Sequence, residues 1–269
     1  MTDHLLRELA PISDTAWQAI EDDVKPRLRA HLAARQLVDF AGPLGWEHAA
    51  TSLGRTRAIA DPADGVEAVR REVQPLVELR ARFSLSRSAL DDVDRGAPDP
   101  DFGALDAAAV QIALAESRAV FHGYGAGEIR GLTEASSHDP VRLDADVKRY
   151  AAAVAGAIDR LRRSGIGGPY GLAIAPELYT EIIETTEHGG YPLFDHVREM
   201  LGGPIVWAPG VECGVVLSQR GGDFTFESGE DISIGYSSHD AESVQLYLEE
   251  SFTFRVLEPD AVVALQAAS

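Results

Sequence analysis

The 269-residue sequence holds a single cysteine, Cys213, so no internal disulfide can form, and a disulfide-stapled secreted fold is excluded. No apolar run approaches the roughly 18 residues needed to cross a bilayer, so no membrane partner is expected. The start, Met1-Thr2-Asp3-His4-Leu5, carries neither the basic stretch nor the apolar core of a secretion signal, and a cytoplasmic protein is expected. Positive charge is scarce: 24 Lys+Arg against 43 Asp+Glu leave a formal net charge of −19. Such a surface repels phosphate backbones, so no nucleic-acid partner is expected, and it also repels copies of itself. Lysine occurs only as Lys25 and Lys148, which reads as compositional bias rather than a binding site. What remains is 45% hydrophobic and 25% charged, enough for one large domain or two interlocked ones.

Periodicity supplies the elements. Trp17, Ile20, Val24, Leu28 and Leu32 form one stripe and predict a helix over Ser13 to Ala34, with Ser13 or Asp14 as cap and a kink at Pro26. Glycine, proline and polar residues from Gly42 to Gly54 mark turns, and the charged, weakly patterned stretch Arg55 to Gln74 reads as an extended arm. Val77, Leu79, Ala81, Phe83 and Leu85 alternate with Glu78, Arg80, Arg82 and Ser84, a half-buried strand. A second long helix is predicted over Asp101 to Phe121. Glu116 falls on its apolar stripe and needs a partner, in a structural ion pair or, alternatively, in catalysis. From 131 to 222 a helix over Asp144–Arg163, a short apolar run at Tyr170–Ala175, shorter helices near Glu177–Glu184 and Phe194–Leu201, and short strands at Ile205–Ala208 and Val215–Ser218 suggest a compact inserted subdomain. Between Ser243 and Leu257 the even positions are apolar except Glu250, whereas Ser243, Gln245, Glu249, Ser251, Thr253 and Arg255 at odd positions are polar. That alternation predicts one strand on the order of 45 Å long. Burying its six apolar side chains would contribute at most roughly 9–18 kcal/mol, and a strand of this length belongs to an elongated sheet.

Catalytic constellations are looked for without success. Gly123-Tyr124-Gly125-Ala126-Gly127 follows a helix instead of opening one, so it reads as a helix exit and not a phosphate loop. Asp91-Asp92-Val93-Asp94 lacks the bidentate glutamate of a calcium loop and reads as a solvated turn. Ser237-Ser238-His239-Asp240 contains the residue types of a hydrolase triad, but sequence neighbours cannot form that geometry. The eight histidines show no metal-ligand spacing, so neither an enzyme nor a resident metal or cofactor is expected.

Spread over nearly the whole chain are Leu9-Ala10-Pro11 followed by Trp17, Arg35 with Val38-Asp39, Gly42-Pro43, Gly45-Trp46-Glu47 and Phe83-Ser84-Leu85-Ser86. Further on come Leu90-Asp91-Asp92-Val93-Asp94-Arg95-Gly96, Glu116 with Phe121 and Gly123, Gly168-Pro169-Tyr170, Arg220-Gly221-Gly222-Asp223-Phe224, Ile234-Gly235-Tyr236, and Glu250 with Thr253-Phe254. In this order and spacing the chain resembles the encapsulin shell proteins, bacterial and archaeal relatives of tailed-phage major capsid proteins.

The resemblance implies an α+β, phage major-capsid-like fold with a peripheral domain, an axial domain and an extended loop. It divides the chain into an N-terminal helix and the start of the peripheral domain (1–47), the extended loop (48–74), the peripheral domain with its spine helix (75–130), the axial domain (131–222) and the long strands of the peripheral domain (223–269). It implies a non-enzymatic, hollow icosahedral homo-oligomer enclosing a cargo enzyme, such as a dye-decolourising peroxidase or a ferritin-like protein, captured by its C-terminal peptide. The cargo groove would involve Leu28, Leu32, Arg35, Asp39, Ile232, Ile234 and Tyr236, the alternative being that Leu28 and Leu32 only hold the helix to its own subunit. The loop Glu187-His188-Gly189-Gly190-Tyr191 matches the segment lining five-fold pores in relatives, the alternative being an ordinary surface turn. Some relatives hold a flavin against an aromatic; Ser88 stands in its place here and speaks against one. A prophage capsid protein packaging DNA and a hydrolase or bacteriocin-like protein are the rival readings, disfavoured by the absent scaffolding segment and the missing catalytic constellation.

Overall fold

The long alternating segment near the C-terminus is the axis on which the chain is built. The computed structural model describes residues 4–186 and 190–267. The first helix, α1 (Asp14–His31), is capped by the Ser13 hydroxyl, which accepts from Ala16 N at 3.0 Å, and it continues through Pro26. Strand β1 (Asp39–Ala41) leads to a two-stranded ribbon of β2 (Ala50–Ala63) and β3 (Val66–Pro75). Strand β4 (Val77–Ser86) buries Ala81, Phe83 and Leu85 and runs into α2 (Arg87–Asp94). The acidic run at 91–94 is therefore helical and not a turn: Ser86 caps the helix, and Leu90 and Val93, three apart, are buried.

The spine helix α3 (Gly103–His122) ends at Gly123, whose φ of 92° only glycine adopts easily. After the short α4 (Leu132–Ala135) and β5 (Val141–Leu143), the helix expected from Asp144 begins only at Tyr150, as α5 (Tyr150–Arg163). Asp144 and Asp146 accept from the amides of Asp146 and Lys148, at 3.0 and 3.1 Å, and hold the intervening residues in a tighter turn. Then follow β6 (Tyr170–Ile174), α6 (Pro176–Glu184), α7 (Leu193–Leu201), β7 (Ile205–Trp207) and β8 (Gly214–Ser218). The chain closes with β9 (Phe224–Ser228), β10 (Ser233–His239), β11 (Ser243–Val256) and β12 (Val262–Ala267).

Two five-stranded sheets result. In the first, β11 pairs antiparallel with β4 along one edge, and with β10 and then β9 along the other; β1 joins β9 in parallel. The second has the order β5-β12-β8-β6-β7. The block 223–269 is thus split, because β12 crosses into the sheet of the middle segment. The odd face of β11 is also not solvated as its polar residues suggested: Tyr247, Glu249 and Thr253 are buried along with the apolar even positions. The spine helix joins two cores. Leu105, Ala109 and Ile112 pack with α1, β4 and β10, whereas Val120 and Phe121 pack with the second sheet and α5.

Candidate functional site

On the C-terminal half of α1, Lys25, Leu28, Arg29 and Leu32 recur at helical spacing and face the turn between β9 and β10. Together with Arg35, Gln36, Asp231 and Ile232 they line an open groove of about 340 Å³. Its floor is apolar. Leu28 is only 9% exposed and is committed largely to the core beneath, while Leu32 and Ile232 are half-buried and keep surface toward the groove. Its rim is charged, with the cations Lys25, Arg29 and Arg35 facing Asp231.

Arg35 sets the geometry of that rim. Its guanidinium donates to Glu116 Oε2 at 2.7 Å, to Asp231 Oδ1 at 2.5 Å and to Glu250 Oε2 at 2.9 Å, and it lies over the rings of Phe40 and Phe226. Glu116 projects from α3 and Glu250 from β11, and neither is exposed beyond 1%. Burial pushes both carboxyls above the ordinary glutamate range, and Glu250 is raised well above it by the neighbouring Glu116 charge as well. The other oxygen of each, Oε1, is buried without a hydrogen-bond partner. Burial would lower the Arg35 pKa, but Glu116 and Glu250 more than reverse this. The polar residue on the α3 stripe and the break in the β11 alternation are thus two ends of one ion cluster, which is structural and holds α3, β11 and the start of β10 to the segment after α1.

The remaining expected groove residues are distributed differently. Ile234 and Tyr236 sit on β10, buried at 5% and 9% exposure in the core under α1, and do not line the groove. Asp39 lies in a separate recess with Ser218, Gln219 and Gly221, where its carboxylate accepts from Gly222 N at 2.5 Å. Of the expected pore loop, Glu187, His188 and Gly189 lie outside the described residues; Gly190 has φ 81° and Tyr191 is 43% exposed, its hydroxyl donating to Glu199 at 3.0 Å. Ser88, at the position where the resemblance implies an aromatic in flavin-holding relatives, places its hydroxyl 3.1 Å from that of Ser86. The Ser237-Ser238-His239-Asp240 run closes the β10–β11 hairpin: the Tyr236 hydroxyl lies 2.6 Å from His239 Nδ1, and Asp240 accepts from the amides of Glu242 and Ser243.

Several groove residues escape the sequence reading. Lys25 and Arg29 carry a usable signal, since they stand one helical turn apart, as Leu28 and Leu32 do. Asp231 carries only its adjacency to Ile232, because the groove forms by closure over nearly the full chain length. A half-buried acid pair also escapes the sequence: Asp23 on α1 and Asp106 on α3 flank Arg27, which ion-pairs with both. Burial and the Asp23 hydrogen bond raise the Asp106 carboxyl. Among the described residues, His4, Glu230 and Glu249 can hold a metal ion.

Comparison with known proteins adds identity to this geometry. A family model described as "Encapsulating protein for peroxidase" matches residues 1–253. The chain is 48% identical to the type 1 encapsulin shell protein of Rhodospirillum rubrum over 98% of its own length and 97% of the relative's. Among solved structures, the virus-like particle from Pyrococcus furiosus superposes with a TM-score of 0.66 at 17% identity, covering 93% of this chain and 99% of that one. The capsid of Myoviridae phage XM1 superposes with a TM-score of 0.53 at 9% identity, covering 87% and 90%. These likenesses establish an α+β, phage-capsid-like fold.

Proposed function

The chain belongs to the encapsulin shell family, and from that premise we propose that it is a non-enzymatic shell subunit that assembles in many copies into a closed cytoplasmic compartment around a cargo enzyme. The groove between α1 and the Asp231-Ile232 turn is where the cargo's C-terminal peptide docks. Leu28, Leu32 and Ile232 take apolar anchors, and Arg35 and Asp231 fix register at the rim. The observation that carries this reading is an apolar floor framed by charges whose positions are locked by a buried ion cluster. A peroxidase is the favoured cargo class, given the description of the matched family, with a ferritin-like protein as the other. Pores between the assembled subunits limit solute entry, with Gly190 and Tyr191 beside them.

The test is co-expression of each variant with the cargo, followed by shell purification. Leu32→Asp leaves shells assembled and empty; Leu28→Asp puts a carboxylate at a largely core position and costs stability as well, so the more exposed Leu32 separates docking from folding. Normal cargo co-purification with assembled Leu32→Asp shells overturns the groove assignment.

A further inference from the structure

Four segments distant in sequence converge on His4. Its ring stacks flat on Trp46, with centroids 4.5 Å apart and planes 10° off parallel. The next residue, Leu5, is tied to β10 by the Tyr236 amide, which donates to its carbonyl at 2.8 Å. His4 Nε2 lies 2.6 Å from Glu230 Oε2, in the turn after β9, and 3.8 Å from Glu249 Oε1 on β11. One ligand atom from each of the three residues lies within 4.8 Å of the others.

Glu249 is the unusual member. Its side chain is 1% exposed; Arg80 engages Oε2, while Oε1 is buried, has no hydrogen-bond partner and faces His4. A buried anionic oxygen without a donor is costly unless something positive meets it. Arg80 pairs with only one of the two carboxylates, Glu249, and leaves Glu230 without a guanidinium. An imidazole nitrogen with two carboxylate oxygens is a donor set for divalent first-row ions, with bonds of about 2.0–2.2 Å. Modest movement of the Glu230 side chain opens that space. His4 and Glu230 retain 21% and 12% exposure, which leaves a path for entry and room for water in the remaining coordination positions.

We propose that His4, Glu230 and Glu249 form a binding site for a divalent transition-metal ion that clamps the N-terminal segment to the first sheet. The ion joins the residues before α1 to β11 and to the turn that also carries Asp231, one step from the Arg35 cluster. It is a structural site, held from the side by the Trp46 ring and from behind by Arg80.

The experiment uses the full-length chain as it assembles, stripped with EDTA and dialysed, then titrated with Zn²⁺ at neutral pH by calorimetry, with retained metal counted by elemental analysis. Wild type is expected to retain about one Zn²⁺ per subunit, and Co²⁺ in its place to give a visible ligand-field band. His4→Ala and Glu249→Gln should each weaken Zn²⁺ binding at least about tenfold and abolish the Co²⁺ band. His4→Ala changes a partly exposed residue outside both cores, so its shells should form normally, and they isolate the metal effect from folding. Zn²⁺ retention by the assembled His4→Ala protein equal to that of wild type overturns the site, as does a wild type that retains none.

Discussion

Strands β2 and β11 are each 14 residues long, and they have opposite fates. Along β11 nine of the fourteen side chains are buried, between β4 on one edge and β10 and β9 on the other. Along β2 none is buried, and among the described residues its sole strand partner is β3. The difference does not come from a lack of apolar residues in the ribbon: Ile59, Val66, Val69 and Val73 are each about half exposed or more. Register places Ile59 opposite Ala68, and so on the other face from Val69 and Val73, so both faces carry uncovered apolar groups. A two-stranded ribbon is marginal in water on its own, and apolar groups on both of its faces are what a neighbouring copy would cover. One strand completes the subunit; the other leaves apolar surface open on both faces.

The sharpest way to break this contrast is to make the ribbon polar. Changing Val69 and Val73 to Asp should abolish shell formation while leaving the subunit folded, since about 1.5–3 kcal/mol per apolar side chain would be lost at every contact between copies. Electron microscopy and circular dichroism read the two halves of that outcome. On the buried side, Arg35→Ala leaves Glu116 and Glu250 without their cation and should cost about 3–5 kcal/mol in denaturant unfolding of the subunit. Glu250→Gln should be milder and informative about pH. Because the folded pKa of Glu250 is raised, its stabilising contribution is complete below the ordinary glutamate pKa of about 4.3 and is lost as pH rises through the raised value. Glutamine mimics the protonated form, so stability measured across pH 4 to 9 should fall less steeply in this variant than in wild type.

The legibility of the molecule follows the same division. β11 was readable because strict alternation survives along its even positions, and β4 for the same reason. Glu116 and Glu250 each stood out as a violation of an apolar pattern, yet nothing in sequence joins residues 116 and 250 to Arg35; only the packing of α3 against the first sheet does. Leu28 and Leu32 were visible as a helical stripe, but whether each faces the core or the groove depends on where α1 sits, and Leu28 went mostly to the core. Ile234 and Tyr236 were expected in the groove and are core residues, because β10 presents them beneath α1 instead of beside it. His4, Glu230 and Glu249 leave no trace in spacing, being brought together from opposite ends of the chain.

The most direct test is the mass of the purified wild-type particle in solution. The account predicts a discrete, closed particle of many 28.9 kDa subunits, reduced to a folded single subunit when Val69 and Val73 are made Asp. A wild-type chain that stays a 28.9 kDa monomer, or a ribbon variant that still closes into shells, would contradict it.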